Sequence, residues 1–151
     1  MRSASTVFVD TNVLLYAQDP RDPGKQVAAA GWLARCWRDG SGRLSTQVLH
    51  EMYANLLRVA PRLGVQAARA LVARYRAWRP WVVDDATVDL AWRLQDRHAF
   101  HYWDALMLAA AQQQGCRWLL SEDLQHGQRV DELQVVNPFV AGPELLDAPA
   151  P

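Results

Sequence analysis

Short apolar runs alternate along this chain with longer segments of helical periodicity. Val7 to Val9 is typical of a strand buried on both faces, and the residues from Asn12 to Tyr16 have the apolar content to open a helix. Further apolar runs predict strands at 43–45, 81–83, 118–121 and 133–138. The pattern therefore predicts about five strands.

Helices are predicted between these strands, at 27–37, 46–60, 65–78, 87–97 and 102–114. The stretch 19–26 contains two prolines and a glycine and predicts a loop. Thr46 is the predicted N-cap of its helix, and Gly115 is the predicted stop of the last one. Strands that alternate with helices favour the α/β class, here a three-layer α/β/α sandwich around a central parallel sheet of about five strands.

The chain has 151 residues, which suits a single compact domain. We predict that this domain spans 1–141 and that 142–151, which has three prolines and no periodicity, is a flexible C-terminal tail. No apolar run approaches the ~20 residues of a membrane span. The start MRSASTVFVD does not fit a secretory signal, so a cytoplasmic location is expected.

Charge excludes one broad class of partner interaction. The 16 basic and 16 acidic side chains cancel, so the overall basic field of a general nucleic-acid binder is missing and any nucleic-acid contact must be local. Several arginines cluster between Arg58 and Arg79, either as a solvated helix face or as a binding patch. Cys36 and Cys116 have no metal-site spacing and are expected to be reduced thiols.

Four acidic residues adjoin apolar sequence: Asp10, Glu51, Asp104 and Asp123. Each also has an ordinary explanation, as a helix cap, a favourable charge at a helix N-terminus, a turn residue or, for Glu51, a solvated position at the margin of its helix. Parallel sheets bind ligands outside the carboxyl ends of their strands, where Asp10 and Asp123 are expected. Four carboxylates from separate segments would suit a hard cation such as Mg²⁺ or Mn²⁺.

The order and spacing of four segments resemble the PIN-domain ribonucleases, and among them the virulence-associated protein C (VapC) type toxins of toxin–antitoxin pairs. The segments are VFVDTNVLLYA, STQVLHEMYANL, YWDALMLAAA and LLSEDLQHG, and together they span nearly the whole chain. The family's four acidic positions match Asp10, Glu51, Asp104 and Asp123. Thr11, Asn12 and Ser121 then resemble its supporting residues.

The resemblance implies metal-dependent hydrolysis of RNA that leaves 5′-phosphate and 3′-hydroxyl ends. Asp10 and Asp104 are the expected principal ligands of Mg²⁺ or Mn²⁺, Glu51 a ligand or a water-orienting base, and Asp123 a ligand of a second ion. The scattered histidines form no competing Ser-His-Asp arrangement.

The resemblance also implies partners: an RNA substrate, a cognate antitoxin, and a second copy of the chain in a homodimer that joins the antitoxin in a hetero-oligomer. The apolar helices that carry Trp32, Trp37 and Tyr53 are the expected contact surface, with core packing as the competing explanation.

Two alternatives stay open. One is another metal-dependent enzyme on a similar sheet, such as a 5′-nuclease; an aspartyl phosphatase fits less well because Asn12 stands where that class has a second Asp. The other is a catalytically silent binding module.

Overall fold

The computed structural model describes residues 5–148, which form a three-layer α/β/α sandwich. The strands are β1 (Val7–Val9), β2 (Gly42–Arg43), β3 (Trp118–Leu120), β4 (Arg129–Val130) and β5 (Leu133–Val136). The helices are α1 (Thr11–Tyr16), α2 (Pro23–Asp39), α3 (Thr46–Val59), α4 (Gly64–Arg74), α5 (Asp85–Arg97) and α6 (Tyr102–Gln113). Short 3₁₀ turns follow at Pro61–Leu63, Tyr75–Trp78 and Pro143–Asp147. The predicted fold class is confirmed.

The sheet has the strand order β2-β1-β3-β5-β4. Strands β2, β1, β3 and β5 run parallel to one another, and the edge strand β4 pairs antiparallel with β5. Just beyond β1, the Asp10 amide donates to the Leu120 carbonyl over 3.0 Å, and beyond β3 the Ser121 amide donates to the Val136 carbonyl over 3.0 Å. The carboxyl ends of these strands therefore meet at one edge, as the position of a ligand site in a parallel sheet requires.

One predicted strand is wrong and one strand was missed. The segment 81–83 contributes only a bridge between Trp81 and Ser45, because α3 begins directly after Ser45 and leaves Val82 and Val83 without a partner strand. The second predicted strand, 43–45, is displaced to Gly42–Arg43. The missed strand is β4, whose two residues are too few to show an alternating pattern.

Two helix starts also differ from the prediction. The predicted loop 19–26 ends early, because Pro23 opens α2, where its missing N–H costs nothing. Asp22 caps this helix by accepting from the Lys25 amide over 3.1 Å. The cap of α3 is Ser45 rather than Thr46: Ser45 Oγ accepts from the Val48 amide, whereas the Thr46 amide donates to Trp81. The predicted helix 65–78 divides into α4 and a 3₁₀ turn.

The tryptophans that were candidates for a contact surface belong mostly to the core. Trp32 is fully buried, and Trp37 packs against Tyr75 and Trp78 with ring centroids 5.3 and 5.1 Å apart. Tyr53 alone among the three residues named for this surface is exposed. Both cysteines are buried free thiols. Over residues 5–148, no helix is both long and apolar enough to cross a membrane.

The segment after Gly142, predicted to be a flexible tail, contains a 3₁₀ turn. Its 3₁₀ turn lies against α2, where Arg35 pairs with Asp147 at 2.6 Å. Just before it, the Ala141 carbonyl accepts from Trp32 Nε1 over 2.9 Å. Residues 149–151 of the predicted tail lie outside the described part of the chain. The domain boundary at 141 stays a prediction.

Candidate functional site

Asp10 stands at the carboxyl end of β1 and is 7% exposed. It is the N-cap of α1, and its Oδ1 accepts from the Thr11 amide over 2.6 Å. Its Oδ2 accepts from Ser121 Oγ over 2.7 Å and from Asn12 Nδ2 over 3.4 Å. The capping role and the expected supporting residues are therefore present together around one carboxylate.

Ser121 connects two of the four acidic residues. Its hydroxyl donates to Asp10 and accepts from the Asp123 amide over 3.1 Å. A hydroxyl has one proton to donate and lone pairs to accept, so both bonds form at once. Ser121 is fully buried, whereas Asp123 is exposed at the rim. The loop after β3 thereby holds Asp123 beside the end of β1.

Glu51 reaches the same place from α3. Its Oε2 accepts from Thr11 Oγ1 over 2.8 Å, and its Oε1 accepts from Gln47 Nε2 over 3.0 Å. The margin position of Glu51 thus leads to a half-buried, hydrogen-bonded carboxylate rather than a solvated one. Gln47 was missed by the sequence analysis. Its position one helical turn before Glu51 was the available signal, because residues four apart share a helix face.

Asp104 lies in the first turn of α6, half-buried, where the helix dipole favours negative charge. His101 precedes this helix at the N-cap position without making a side-chain capping bond. Burial and the charge of Asp123 raise the pKa of Asp104, and His101 offsets only part of this rise. Gln47 Nε2 also donates to the Trp103 carbonyl over 3.3 Å, so α3 and α6 are joined next to Asp104.

Charge repulsion acts between Asp10 and two other acidic residues, Asp123 and Glu51, and the same two residues act on Asp104. Burial is the main cause that raises the pKa of Asp10 to about 7, and the charges of Asp123 and Glu51 raise it further against the Ser121 hydrogen bond. The pKa of Asp104 is also raised, first by burial and then by Asp123 and Glu51. Buried like charges disfavour ionisation in this way unless a cation compensates them.

The residues present fit a hard divalent cation by their chemistry, although they do not form a closed cage. In the described range 5–148, no three His, Cys, Asp or Glu side chains are grouped as a ready-made metal cluster. The available donors are nevertheless carboxylate oxygens, the ligands that Mg²⁺ and Mn²⁺ prefer. Asn12 adds a buried Oδ1 that has no hydrogen-bond partner.

A further contact near the site involves the chain's single lysine, which the sequence analysis did not assign. Lys25 Nζ pairs with Glu122 Oε1 at 2.7 Å and lies over the rings of Tyr16 and Phe139, 4.8 and 5.0 Å from their centroids. Glu122 stands between Ser121 and Asp123. The start of α2 therefore helps to fix the loop that carries Asp123.

Three solved structures similar to this chain share its fold. A sarcin-ricin loop cleaving toxin of Mycobacterium tuberculosis, VapC20, is 24% identical with a TM-score of 0.55, over 76% of this chain and 87% of that one. A toxin–antitoxin complex from Klebsiella pneumoniae is 18% identical with a TM-score of 0.61, over 89% and 98%. VapBC2 of Rickettsia felis, bound to a promoter DNA fragment, is 12% identical with a TM-score of 0.61, over 86% and 96%.

A search of curated proteins finds no match to the chain. Comparison with family models gives a more specific result than the solved structures. The family model described as the PIN domain matches residues 7–132, which include the whole set of predicted acidic positions and their supporting residues. The match covers well over half of the sequence and the strands and helices that surround Asp10. The chain therefore belongs to the PIN domain family.

Proposed function

We propose that this protein is a metal-dependent endoribonuclease toxin of the VapC type. Asp10, Glu51, Asp104 and Asp123 are the proposed site, with Mg²⁺ or Mn²⁺ as cofactor. The observation that carries the proposal is that hydrogen bonds connect three of these four residues. Ser121 bonds to Asp10 and to the Asp123 amide, and Thr11, next to Asp10, bonds to Glu51. Membership of the PIN domain family supports it.

The contacts of each residue suggest its role in the proposed site. Asp10 and Asp104, whose carboxyls carry raised pKa values, gain most from a cation and are the proposed principal ligands. Glu51, held by Thr11 and Gln47, is oriented to bind the ion or a water. Asp123 is exposed and is the proposed ligand of a second ion. A bound divalent ion supplies an activated water and neutralises charge on the phosphate.

RNA would have to approach an acidic site, so basic groups at its rim are needed. A cleft of about 200 Å³ beside Asn12 is lined by Arg21 and Arg58. Arg21 is already paired with Asp19 at 2.8 Å, whereas Arg58 Nη2 makes a long hydrogen bond of 3.4 Å to Asn55 Oδ1. Arg58 is therefore the candidate with more freedom to bind a phosphate of the RNA.

We propose a cognate antitoxin as protein partner and a homodimer as the toxin's own state, both joined in a hetero-oligomer. Two of the similar structures are toxin–antitoxin assemblies, and this supports an antitoxin for the present chain. Tyr53 and Arg69, which hydrogen-bond over 3.0 Å, line a partly apolar groove of about 530 Å³ between α3 and α4. This groove is the proposed place of the antitoxin contact.

The test is cleavage of RNA by the purified protein with and without Mn²⁺, followed by sequencing of the new 5′ ends. We expect Mn²⁺-dependent cleavage that leaves 5′-phosphates and that falls by more than about 100-fold in Asp10→Asn and in Asp104→Asn. Asp89→Asn, an exposed Asp on α5, is the matched control.

Three outcomes would contradict the proposal. Cleavage that persists in Asp10→Asn would refute the site. Binding of RNA without cleavage in any divalent ion would favour a catalytically silent module. If single-stranded DNA flaps rather than RNA are cut, the enzyme belongs with the 5′-nucleases, the other alternative that shares this chemistry.

A further inference from the structure

An apolar cleft opens directly beside the acidic site. Its volume is about 510 Å³, and it is lined by Gln47, His50, Glu51, Val83, Trp103 and Leu106 together with Thr46. Trp103 is 63% exposed, although it is the residue before Asp104. A large aromatic side chain left in solvent next to a charged site is unusual, because its burial is favourable.

The cleft and the acidic site are continuous. Glu51 belongs to both, since it lines the cleft and accepts from Thr11 next to Asp10. Gln47 Nε2 donates both to Glu51 Oε1, over 3.0 Å, and to the Trp103 carbonyl, over 3.3 Å. One amide therefore fixes the backbone of Trp103 relative to a proposed catalytic carboxylate.

We propose that this cleft is a nucleobase subsite in which the base next to the scissile phosphate stacks on Trp103. The inference rests on the proposed function, because the occupant is part of the RNA. A nucleotide placed with its phosphate at the acidic residues has its base beside them, and the cleft is the adjoining apolar space. Every base has a π-face, so an exposed indole binds bases with little regard to sequence.

The chemistry of the cleft favours a base over a phosphate or an acidic peptide. Its walls are mostly apolar. Apart from the ring of His50, the charged group among the residues that line it is the carboxylate of Glu51. Anions are repelled by Glu51 and by Asp104 next to Trp103. A neutral aromatic ring is not repelled, and it covers apolar surface on Val83, Leu106 and the indole.

The test compares two ligands that have the same phosphates and differ in their bases. A fluorescein-labelled 12-nucleotide oligoadenylate and an abasic ribose-phosphate 12-mer are titrated with the full-length protein, and anisotropy is recorded. All variants carry Asp10→Asn so that the RNA stays intact. We expect Trp103→Ala to weaken oligoadenylate binding by about tenfold, Trp103→Phe to retain most of it, and the abasic ligand to be affected less than about twofold.

Trp92→Ala is the matched control, because Trp92 on α5 is 56% exposed and lies outside the cleft. Equal oligoadenylate binding by the Trp103→Ala and parent proteins would overturn the subsite alone. Equal loss for both ligands would also overturn it, since the contact would then be to the backbone. If the parent protein binds neither ligand, the proposed RNA function fails together with the subsite. Weaker antitoxin binding by Trp103→Ala with unchanged oligoadenylate binding would assign the cleft to the antitoxin instead.

Discussion

Ser121 Oγ lies 2.7 Å from Asp10 Oδ2, and this bond joins residues 111 positions apart at the ends of neighbouring strands. The same hydroxyl accepts from the Asp123 amide. One buried side chain therefore orients a carboxylate on β1 and positions another after β3. The bond also lowers the pKa of Asp10, against the larger effect of burial.

Removal of this hydroxyl tests its positioning role. In Ser121→Ala, Asp10 loses a donor to its ionised form, so its pKa rises and its affinity for a cation falls. We expect RNA cleavage to fall about 10- to 100-fold at neutral pH and to recover in part at higher pH or higher Mn²⁺ concentration. Ser41→Ala, at a buried serine near the other end of β1, should leave cleavage unchanged. A pH profile like that of the parent protein would argue against this role.

The raised pKa of Asp10 predicts a pH-dependent stability when no divalent cation is present. The folded protein keeps the proton up to about pH 7, whereas the unfolded chain loses it near 3.8. Between these values the unfolded state binds fewer protons, so the free energy of unfolding falls as the pH rises, by up to about 4 kcal/mol. Urea unfolding in EDTA at pH 5 and pH 7.5 measures the larger part of this fall, about 2–3 kcal/mol.

Asp10→Asn is the control for that experiment. The amide has no proton to lose, so the Asp10 contribution to the pH dependence disappears, and at pH 7.5 the variant should be more stable than the parent protein. An identical pH dependence of the two proteins would show that Asp10 ionises at an ordinary pKa.

A divalent cation should offset the repulsion between the carboxylates and so stabilise the folded protein. Mn²⁺ at about 100 times its dissociation constant stabilises a folded state that alone binds it by about 2.7 kcal/mol, which corresponds to a rise of roughly 5–10 °C in Tm. We expect EDTA to cancel the rise and Asp104→Asn to remove most of it. Asp89→Asn should keep it. A Tm that does not respond to Mn²⁺ in the parent protein would contradict the proposed ion site.

Gly42 is a position where any side chain is excluded by packing. A Cβ there would lie 2.5 Å from ring carbons of Trp78, which is itself buried. Gly42→Ala should therefore lower the free energy of unfolding by about 1–3 kcal/mol. Gly31, within α2, has open space at the same position, and Gly31→Ala should raise stability by about 0.5–1 kcal/mol. Chemical unfolding of both variants measures the two changes, and a Gly42→Ala protein as stable as the parent would show that Trp78 does not exclude a side chain at this position.

Deletion of 143–151 tests the proposed domain boundary. The deletion removes the pair between Arg35 and the exposed Asp147 but keeps Ala141, which accepts from the buried Trp32. We expect a loss of about 1–2 kcal/mol in unfolding free energy and unchanged RNA cleavage. Asp147→Asn should show the smaller part of that loss. A truncated protein that fails to fold would place the C-terminal turn within the domain.

By itself the sequence determined the elements whose signals are local. The apolar runs at Val7 and Trp118, the periodicity of α6 and the left-handed stop at Gly115 depend on neighbouring residues, and each was predicted at its observed place. The four acidic residues were identified by their own sequence contexts, and the family resemblance followed from their order.

Tertiary contacts decided the features for which the local sequence allows more than one outcome. Ser45 and Thr46 are both good caps, but the Thr46 amide donates to the Trp81 carbonyl and the Thr46 hydroxyl accepts from the Val83 amide, which leaves Ser45 to cap the helix. The β4–β5 turn places Asp131 at a φ of 55°, a conformation held by Arg97 and Gln112 from distant helices. Asp10 belongs to both categories: its sequence makes it a cap, and burial beside Asp123 and Glu51 raises its pKa, because desolvation and charge repulsion depend on which segments the fold brings together.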